Sequence, residues 1–291
     1  MDFDSAYIDP FLDDWLLFLQ EKSREKEKVI LKKSQFFIPN IGVHDSDVRV
    51  IFNVIEKFKF DANVKYLAVH LFENYVNFKV KKISDTRENN KNTKYLIDYE
   101  SINKSEMKLR LLSCIQLASK IDSNEEYLKM SHIKYILKEI DPDKIYPNKM
   151  ILDSEFHVFK SVEFKMPIYT TKNCVDVLLA ASGLRNTHEI VKSASVFLDL
   201  SYICHEELYK NLKTITHDGF PTAFFDDKNN FLLESNALFL AASIVFSSVF
   251  FINMEKGNLK ELLKKVAILV ELKETDIWDM ANSLLSLSYQ G

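Results

Sequence analysis

Hydrophobic positions recur with the period of an α-helix along most of the chain, whereas the alternation typical of strands is scarce. Only five glycines and six prolines interrupt the pattern. The spacing predicts helices over residues 11–33, 46–58, 62–79, 105–121, 129–139, 147–163, 172–183, 188–213, 231–252, 258–270 and 274–289. The sequence therefore predicts an all-α protein.

Two of these predicted helices have no wide polar face. They contain the apolar segments Leu109–Ala118 and Ala237–Ile252, and each is the third helix of its half of the chain. A helix enclosed by other helices needs such a surface. We therefore expect two five-helix repeats, each built around a central apolar helix. Ala237–Ile252 is shorter than the roughly 20 apolar residues of a membrane span and contains three serines, so we predict no membrane contact.

Breaks in the pattern divide the chain. A Pro-Asn-Ile-Gly sequence at 39–42 separates an N-terminal helical extension, residues 1–44, from the first repeat, and Pro167 ends that repeat. The predicted repeats are residues 45–168 and 169–291. The polar stretch 81–104, low in apolar residues, predicts a mobile loop inside the first repeat.

Charge and composition exclude several functions. A net charge of −4 and a pI near 6.0 argue against a protein held to nucleic acid mainly by counterion release, so we expect no direct sequence-specific nucleic-acid contact. The first residues, Met-Asp-Phe-Asp-Ser, are acidic where an export signal would be basic. The chain has three scattered cysteines and no Cys-x-x-Cys, which favours reduced thiols in a cytosolic or nuclear protein.

Candidate catalytic and metal motifs are incomplete. His205-Glu206 begins like a zinc-protease motif, but Tyr209 stands where the second histidine would be needed. Cys174, His188, Cys204 and His205 fit no standard zinc spacing, and glycine-rich phosphate loops are absent from the sequence. We therefore expect no enzymatic activity, no catalytic residues, no cofactor and no metal.

A lysine and a glutamate stand on two helices that we expect to pack together. Lys120 ends the Ala-Ser-Lys sequence at the end of the first central helix, and Glu155 precedes an apolar run that leads to Pro167. The pattern predicts that the two side chains approach one another on one exposed face. Lysine at a helix C-terminus also favours the helix dipole without any partner, so neither residue alone is informative.

Together these features resemble the cyclin box, and the two halves resemble the tandem cyclin fold. Ala118-Ser119-Lys120 matches the Ala-Ser-Lys of cyclins, and the run from Glu155 to Met166 matches their Glu-x-x-x-Leu-Lys-x-Leu-x-Phe-x-Leu. In cyclins the lysine and glutamate bond to the backbone of a kinase helix. The resemblance implies a kinase-binding set made of Leu117, Lys120, Ile121, Glu155, Phe159 and Met166.

A narrower resemblance is to the cyclin N-terminal domain-containing proteins of meiotic crossover formation. It is carried by residues 109–120, 153–164 and 197–209, the last of which lies in the second repeat. It implies a non-enzymatic regulator on meiotic chromosomes in the nucleus. The implied partners are a cyclin-dependent kinase, a RING-finger ligase of the crossover pathway, and recombination complexes of the MutS and MutL type.

The sequence departs from cell-cycle cyclins at several positions. The substrate-docking Met-Arg-x-Ile-Leu motif is replaced by residues 43–47, Glu73 and Asn74 replace an aspartate and an arginine, and Tyr169-Thr170 replaces Pro-Thr. These departures favour a recombination regulator. A kinase-activating cyclin of cell-cycle or transcriptional type remains the alternative. A general transcription factor on the same double repeat would need a basic surface that this composition does not offer.

Overall fold

The computed structural model describes residues 9–32, 43–88, 104–122, 126–167, 169–216, 232–252 and 256–290, and their regular structure is entirely helical. The main helices are α1 (Asp9–Lys32), α2 (Asp45–Phe58), α3 (Ala62–Glu88), α4 (Lys104–Asp122), α5 (Met130–Ile140), α6 (Asn148–Ser161), α7 (Thr171–Ala181), α8 (His188–Ile203), α9 (His205–Thr216), α10 (Ala237–Phe251), α11 (Lys256–Val270) and α12 (Glu274–Gln290). The prediction of an all-α fold is confirmed.

The chain divides into two compact units. Residues 40–170 form the first unit, and residues 1–39 with 171–291 form the second unit. The sequence-based assignment of an extension, 1–44, and two repeats, 45–168 and 169–291, stays a prediction. Within the second unit, α1 packs against α7 and α10. The Gln20 side-chain amide donates a 2.9 Å hydrogen bond to the Leu269 carbonyl and fixes the register of α1.

The first unit is built around α4. This helix packs against α2, α3, α5 and α6, and Leu112, Ile115 and Ala118 have no exposed surface. Enclosure on all sides explains why the helix has no wide polar face. The prediction of a central helix in the first half is confirmed.

The second unit is built around α10 in the same way. The helix packs against α7, α8, α11 and α12, and Leu240 and Val245 are buried. Ser243 and Ser247 donate to the carbonyls four residues before them, at 2.9 and 2.7 Å, so their buried hydroxyls are satisfied within the helix. Among the described helices, none has the length and apolar character to cross a membrane.

Three helix predictions were wrong. The helix predicted over 231–252 is interrupted at Asn236, whose side chain caps the start of α10, and residues 232–235 form a separate helical turn. The helix predicted over 188–213 is two helices, α8 and α9, because the chain leaves helical geometry at Cys204. Apolar periodicity continues on both sides of this break, so the pattern does not reveal it. The helix predicted over 62–79 continues to Glu88, into the polar stretch predicted to be a loop. Residues 89–103 of that stretch lie outside the described residues.

A charge network ties α3 to α4 in the first unit. Glu106 accepts hydrogen bonds from Lys79 at 3.1 Å and from Arg110 at 3.3 Å, and the Tyr75 hydroxyl lies 3.5 Å away. Burial raises the pKa of Glu106, but the hydrogen bonds and charges of its basic partners outweigh this effect and lower the pKa overall.

Candidate functional site

The last turn of α4 emerges from the core of the first unit. Ala118 and Ser119 are fully buried, whereas Lys120 and Ile121 are exposed. The Ser119 hydroxyl donates to the Gln116 carbonyl at 2.9 Å and accepts from the Leu128 backbone amide at 3.0 Å. These bonds fix both the end of the helix and the chain that follows it, so the Lys120 side chain projects from a rigid support.

Lys120 and Glu155 come together at this surface. The Lys120 ammonium donates a 2.5 Å hydrogen bond to Glu155 Oε1 on α6, and it also lies 5.6 Å from the centre of the Tyr127 ring. Their predicted approach is confirmed, but only Lys120 is exposed, and Glu155 is half-buried. The Lys120 side chain is 38% exposed and that of Glu155 is 14% exposed, so the pair lies at the boundary between the core of the unit and its surface.

The structure separates the other predicted kinase-binding residues into two groups. Ile121 is 50% exposed, and Phe159 and Met166 are half-buried, so all three have surface available to a partner. Leu117 is only 7% exposed and lies in the core behind Lys120. The role of the whole set in binding a kinase stays a prediction.

Sequence reasoning missed the exposed apolar stripe beside this pair. Leu152 and Phe156 on α6 are exposed, as is Phe164 just after the helix, and none of them was in the predicted set. The Phe164 ring lies 5.1 Å from the ring of Phe159 and 6.1 Å from that of Phe156. Leu152 and Phe156 are one turn apart and do not belong to the buried face of α6. Helix α6 therefore has more apolar positions than its buried face requires, and this excess is visible in the sequence.

An unusual turn holds Phe164 in place. Glu163 and Phe164 both have positive φ angles, 54° and 58°, and the Phe164 backbone amide donates to the Phe159 carbonyl at 3.0 Å. Left-handed geometry costs roughly 1–2 kcal/mol at a residue other than glycine. The turn folds the chain back so that the Phe164 ring lies against the Phe156 and Phe159 rings of α6. We refer to Lys120, Ile121, Glu155, Phe156, Phe159 and Phe164 as the docking face.

The neighbouring cavity has no evident ligand chemistry. It has a volume of about 340 Å³ and is lined mainly by apolar surface between the start of α6 and α4, with Arg110 and Asp153 among its polar residues. The Arg110 guanidinium is already bound to Glu106, which neutralises it as an anion site. In the described part of the chain, no three His, Cys, Asp or Glu side chains are grouped to hold a metal ion. Cys114 and Cys174 are free thiols buried in their units, and Cys204 is half-buried.

Comparison with known proteins identifies distant relatives. No protein-family model matches the chain. The human Cyclin N-terminal domain-containing protein 1 is 23% identical over 257 residues, which cover 84% of this chain and 74% of that protein. The mouse protein of the same name is 24% identical over 151 residues, which cover 50% of this chain and 45% of that protein. The chain is thus a distant, cyclin-like homologue of these proteins.

Proposed function

We propose that this cyclin-like chain is a non-enzymatic regulator that binds a cyclin-dependent kinase through the docking face and promotes the designation and maturation of meiotic crossovers. The observation that carries the kinase-binding part is the Lys120–Glu155 pair, held at the edge of an exposed apolar stripe. Lys120 lies on the rigid, exposed end of the central helix α4, where a partner can reach it, and Glu155 lies beside it on α6.

The docking face has the chemistry needed to hold a helix. Apolar side chains such as Phe156 and Phe164 supply area that a partner can bury, which gives affinity. An ammonium group has three donors, and the bond to Glu155 Oε1 uses one of those of Lys120. The remaining donors and the second carboxylate oxygen can bond to the carbonyls and amides of a partner backbone and so fix its register.

The first test measures binding of a purified cyclin-dependent kinase to single variants. Lys120→Ala and Glu155→Ala should each weaken binding by about 2–5 kcal/mol, because truncation leaves the partner groups unpaired at the interface. The melting temperature is measured for both variants, because the Glu155 side chain is only 14% exposed and its ion pair also contributes to folding.

A matched control is available in the same unit. Lys57 and Glu139 form an exposed ion pair at 3.1 Å between α2 and α5, so Lys57→Ala and Glu139→Ala remove the same groups away from the docking face. They should leave kinase binding unchanged. The exchange of Lys120→Glu with Glu155→Lys restores an ion pair but reverses its polarity, so it should still abolish binding. Full kinase binding by the exchanged protein would show that the pair has only a structural role.

The meiotic part of the proposal is supported by the resemblance in both halves of the chain and by the distant similarity to Cyclin N-terminal domain-containing protein 1. In the second unit, the resembling segment 197–209 spans the end of α8 and the start of α9. Its apolar residues Phe197, Leu198 and Leu208 are buried. The resemblance there supports a shared fold in the second unit more than a shared contact surface.

The cellular test follows from the proposed location in the meiotic nucleus. A tagged protein should occur in germ cells and form late-prophase foci on chromosomes, about as many as crossovers, and its loss should leave chromosomes unlinked at the first meiotic division. The proposed RING-finger ligase and the MutS- and MutL-type complexes should be recovered with it from meiotic cells. Expression in dividing somatic cells, with slow proliferation and normal fertility on deletion, would instead support a kinase-activating cyclin.

A further inference from the structure

Tyr127 lies beside the Lys120–Glu155 pair, although it is not among the predicted kinase-binding residues. The Lys120 ammonium lies over the Tyr127 ring, 5.6 Å from its centre, and bonds to Glu155 Oε1 at the same time. A cation within about 6 Å of an aromatic face is attracted by the quadrupole of the ring. The Lys120 ammonium is thus held by two groups, one charged and one aromatic.

The residue that follows Tyr127 fixes the position of its ring. Leu128 has no exposed surface, and its backbone amide donates to the Ser119 hydroxyl at 3.0 Å. This hydrogen bond joins the residue after the tyrosine to the residue before Lys120. The Tyr127 side chain itself is 40% exposed, so its contact with Lys120 lies at the surface, where a partner can reach the ammonium.

The first unit contains a second contact of the same type. Lys57 lies over the Tyr135 ring, 4.4 Å from its centre, and bonds to Glu139 at 3.1 Å. In this contact the lysine also bonds to the tyrosine hydroxyl, at 3.3 Å, whereas none of the described hydrogen bonds joins Lys120 to the Tyr127 hydroxyl. Tyr127 therefore acts on Lys120 through the face of its ring, and the second contact provides a matched control.

We propose that Tyr127 is a positioning residue of the docking face, which orients the Lys120 ammonium for the backbone of the partner helix. This inference rests on the proposed kinase binding. A lysine side chain is long and flexible, and ordering it in an interface costs conformational entropy. Contacts with the Tyr127 ring and with Glu155 restrict the ammonium before the partner binds, which lowers this cost.

Binding of a purified cyclin-dependent kinase to variants of the full chain tests this role. Tyr127→Leu keeps an apolar side chain but removes the ring. It should weaken binding about 3- to 30-fold, the range expected for a cation–aromatic contact that becomes desolvated. Tyr127→Phe keeps the ring and should bind like the wild type. Tyr135→Leu, the matched control, removes the ring of the second contact and should leave binding unchanged.

A double-mutant cycle separates positioning of the lysine from direct contact with the partner. If the ring acts through Lys120, Tyr127→Leu should weaken binding of the wild type but not of Lys120→Met, which has no ammonium group. An equal loss in both backgrounds would show that Tyr127 contacts the kinase by itself, and it would overturn the positioning role.

Nuclear magnetic resonance of the free chain provides a measurement that needs no kinase. In a sample with isotope-labelled lysine, the ε-methylene signal of Lys120 is assigned with Lys120→Arg. Because aromatic rings shield the protons above their faces, this signal should move downfield in Tyr127→Leu and stay in place in Tyr127→Phe. The comparison remains valid if Tyr127→Leu binds weakly for another reason.

The outcomes distinguish this inference from the proposed function. An unchanged Lys120 signal in Tyr127→Leu would overturn the positioning role. Normal kinase binding by Tyr127→Leu, while Lys120→Ala loses binding, would also overturn it and would leave the proposed kinase binding intact. Normal binding by Lys120→Ala would overturn the proposed kinase binding and, with it, the role of Tyr127.

Discussion

Ile115 and Ile121 lie on the same helix, α4, in opposite environments. Ile115 has no exposed surface and lies among the helices of the first unit, whereas Ile121 is 50% exposed on the docking face. Replacing each by alanine makes the same chemical change, so the difference between the two variants isolates the effect of burial. We predict that Ile115→Ala lowers stability and that Ile121→Ala lowers partner binding.

The magnitude follows from burial. The substitution removes three carbon groups, which at about 0.8 kcal/mol each gives about 2.4 kcal/mol of lost transfer free energy for a fully buried side chain. The unfilled cavity adds to this, so Ile115→Ala should lower the free energy of unfolding by about 2–5 kcal/mol. At Ile121 about half of the transfer loss applies, no enclosed cavity forms, and alanine is the better helix former, so the loss should be about 1 kcal/mol or less.

Urea unfolding followed by far-ultraviolet circular dichroism measures the difference. With an m-value of about 2–3 kcal/mol/M, Ile115→Ala should lower the midpoint by about 1 M or more, whereas Ile121→Ala should move it little. Kinase binding measured without urea should be weakened more by Ile121→Ala than by Ile115→Ala. Equal midpoints for the two variants, or a loss below about 1 kcal/mol for Ile115→Ala, would refute the reasoning that α4 is the enclosed centre of its unit.

Three further predictions concern thiols, a helix cap and an acid. Burial raises the pKa of the Cys114 thiol and raises that of Cys174 to about 12, so iodoacetamide at about pH 8 should label the partly exposed Cys204 first, as read by peptide mass spectrometry. Asn236→Ala should lower the free energy of unfolding by about 0.5–2 kcal/mol and Asn236→Asp should not, because the Asn236 side chain accepts from two backbone amides at the start of α10. Glu106→Gln should lower the melting temperature at neutral pH. Because the folded-state pKa of Glu106 is lowered, its carboxylate stabilises the fold at pH values above its unfolded-state pKa. This stabilisation is lost as the pH falls through the folded-state pKa. The melting temperatures of the wild type and of Glu106→Gln should therefore converge below about pH 4.

The helices with the most pronounced apolar pattern in the sequence were the ones predicted most accurately. The central helices were predictable because a segment such as Ala237–Ile252 is apolar on every side, and only enclosure by other helices accommodates that. The break at Cys204 was not predictable, since apolar periodicity runs through both α8 and α9. The extension of α3 to Glu88 was missed for the opposite reason, because its last turns carry charged residues without an apolar stripe.

The sequence predicted the residues of the candidate site that lie on helices, but it did not predict the residue that a turn brings to the site. Lys120 and Glu155 each lie on a well-formed helix, and two helices packed in one unit bring them together. Phe164 reaches the docking face only because Glu163 and Phe164 adopt left-handed backbone geometry. No residue pattern predicts positive φ at a glutamate followed by a phenylalanine, since both residue types disfavour it.

The exposed ends of the two central helices have a common structural origin. Each unit buries most of its central helix, so only the end of that helix can present side chains to another protein. At the end of α4 the exposed residues are Lys120 and Ile121, bordered by Glu155, and at the end of α10 they are Phe250 and Phe251. In the proposed kinase complex, the Lys120–Glu155 pair at the first end would fix the register of the partner helix. A variant at the exposed end of a central helix can therefore be tested without altering the core that supports it.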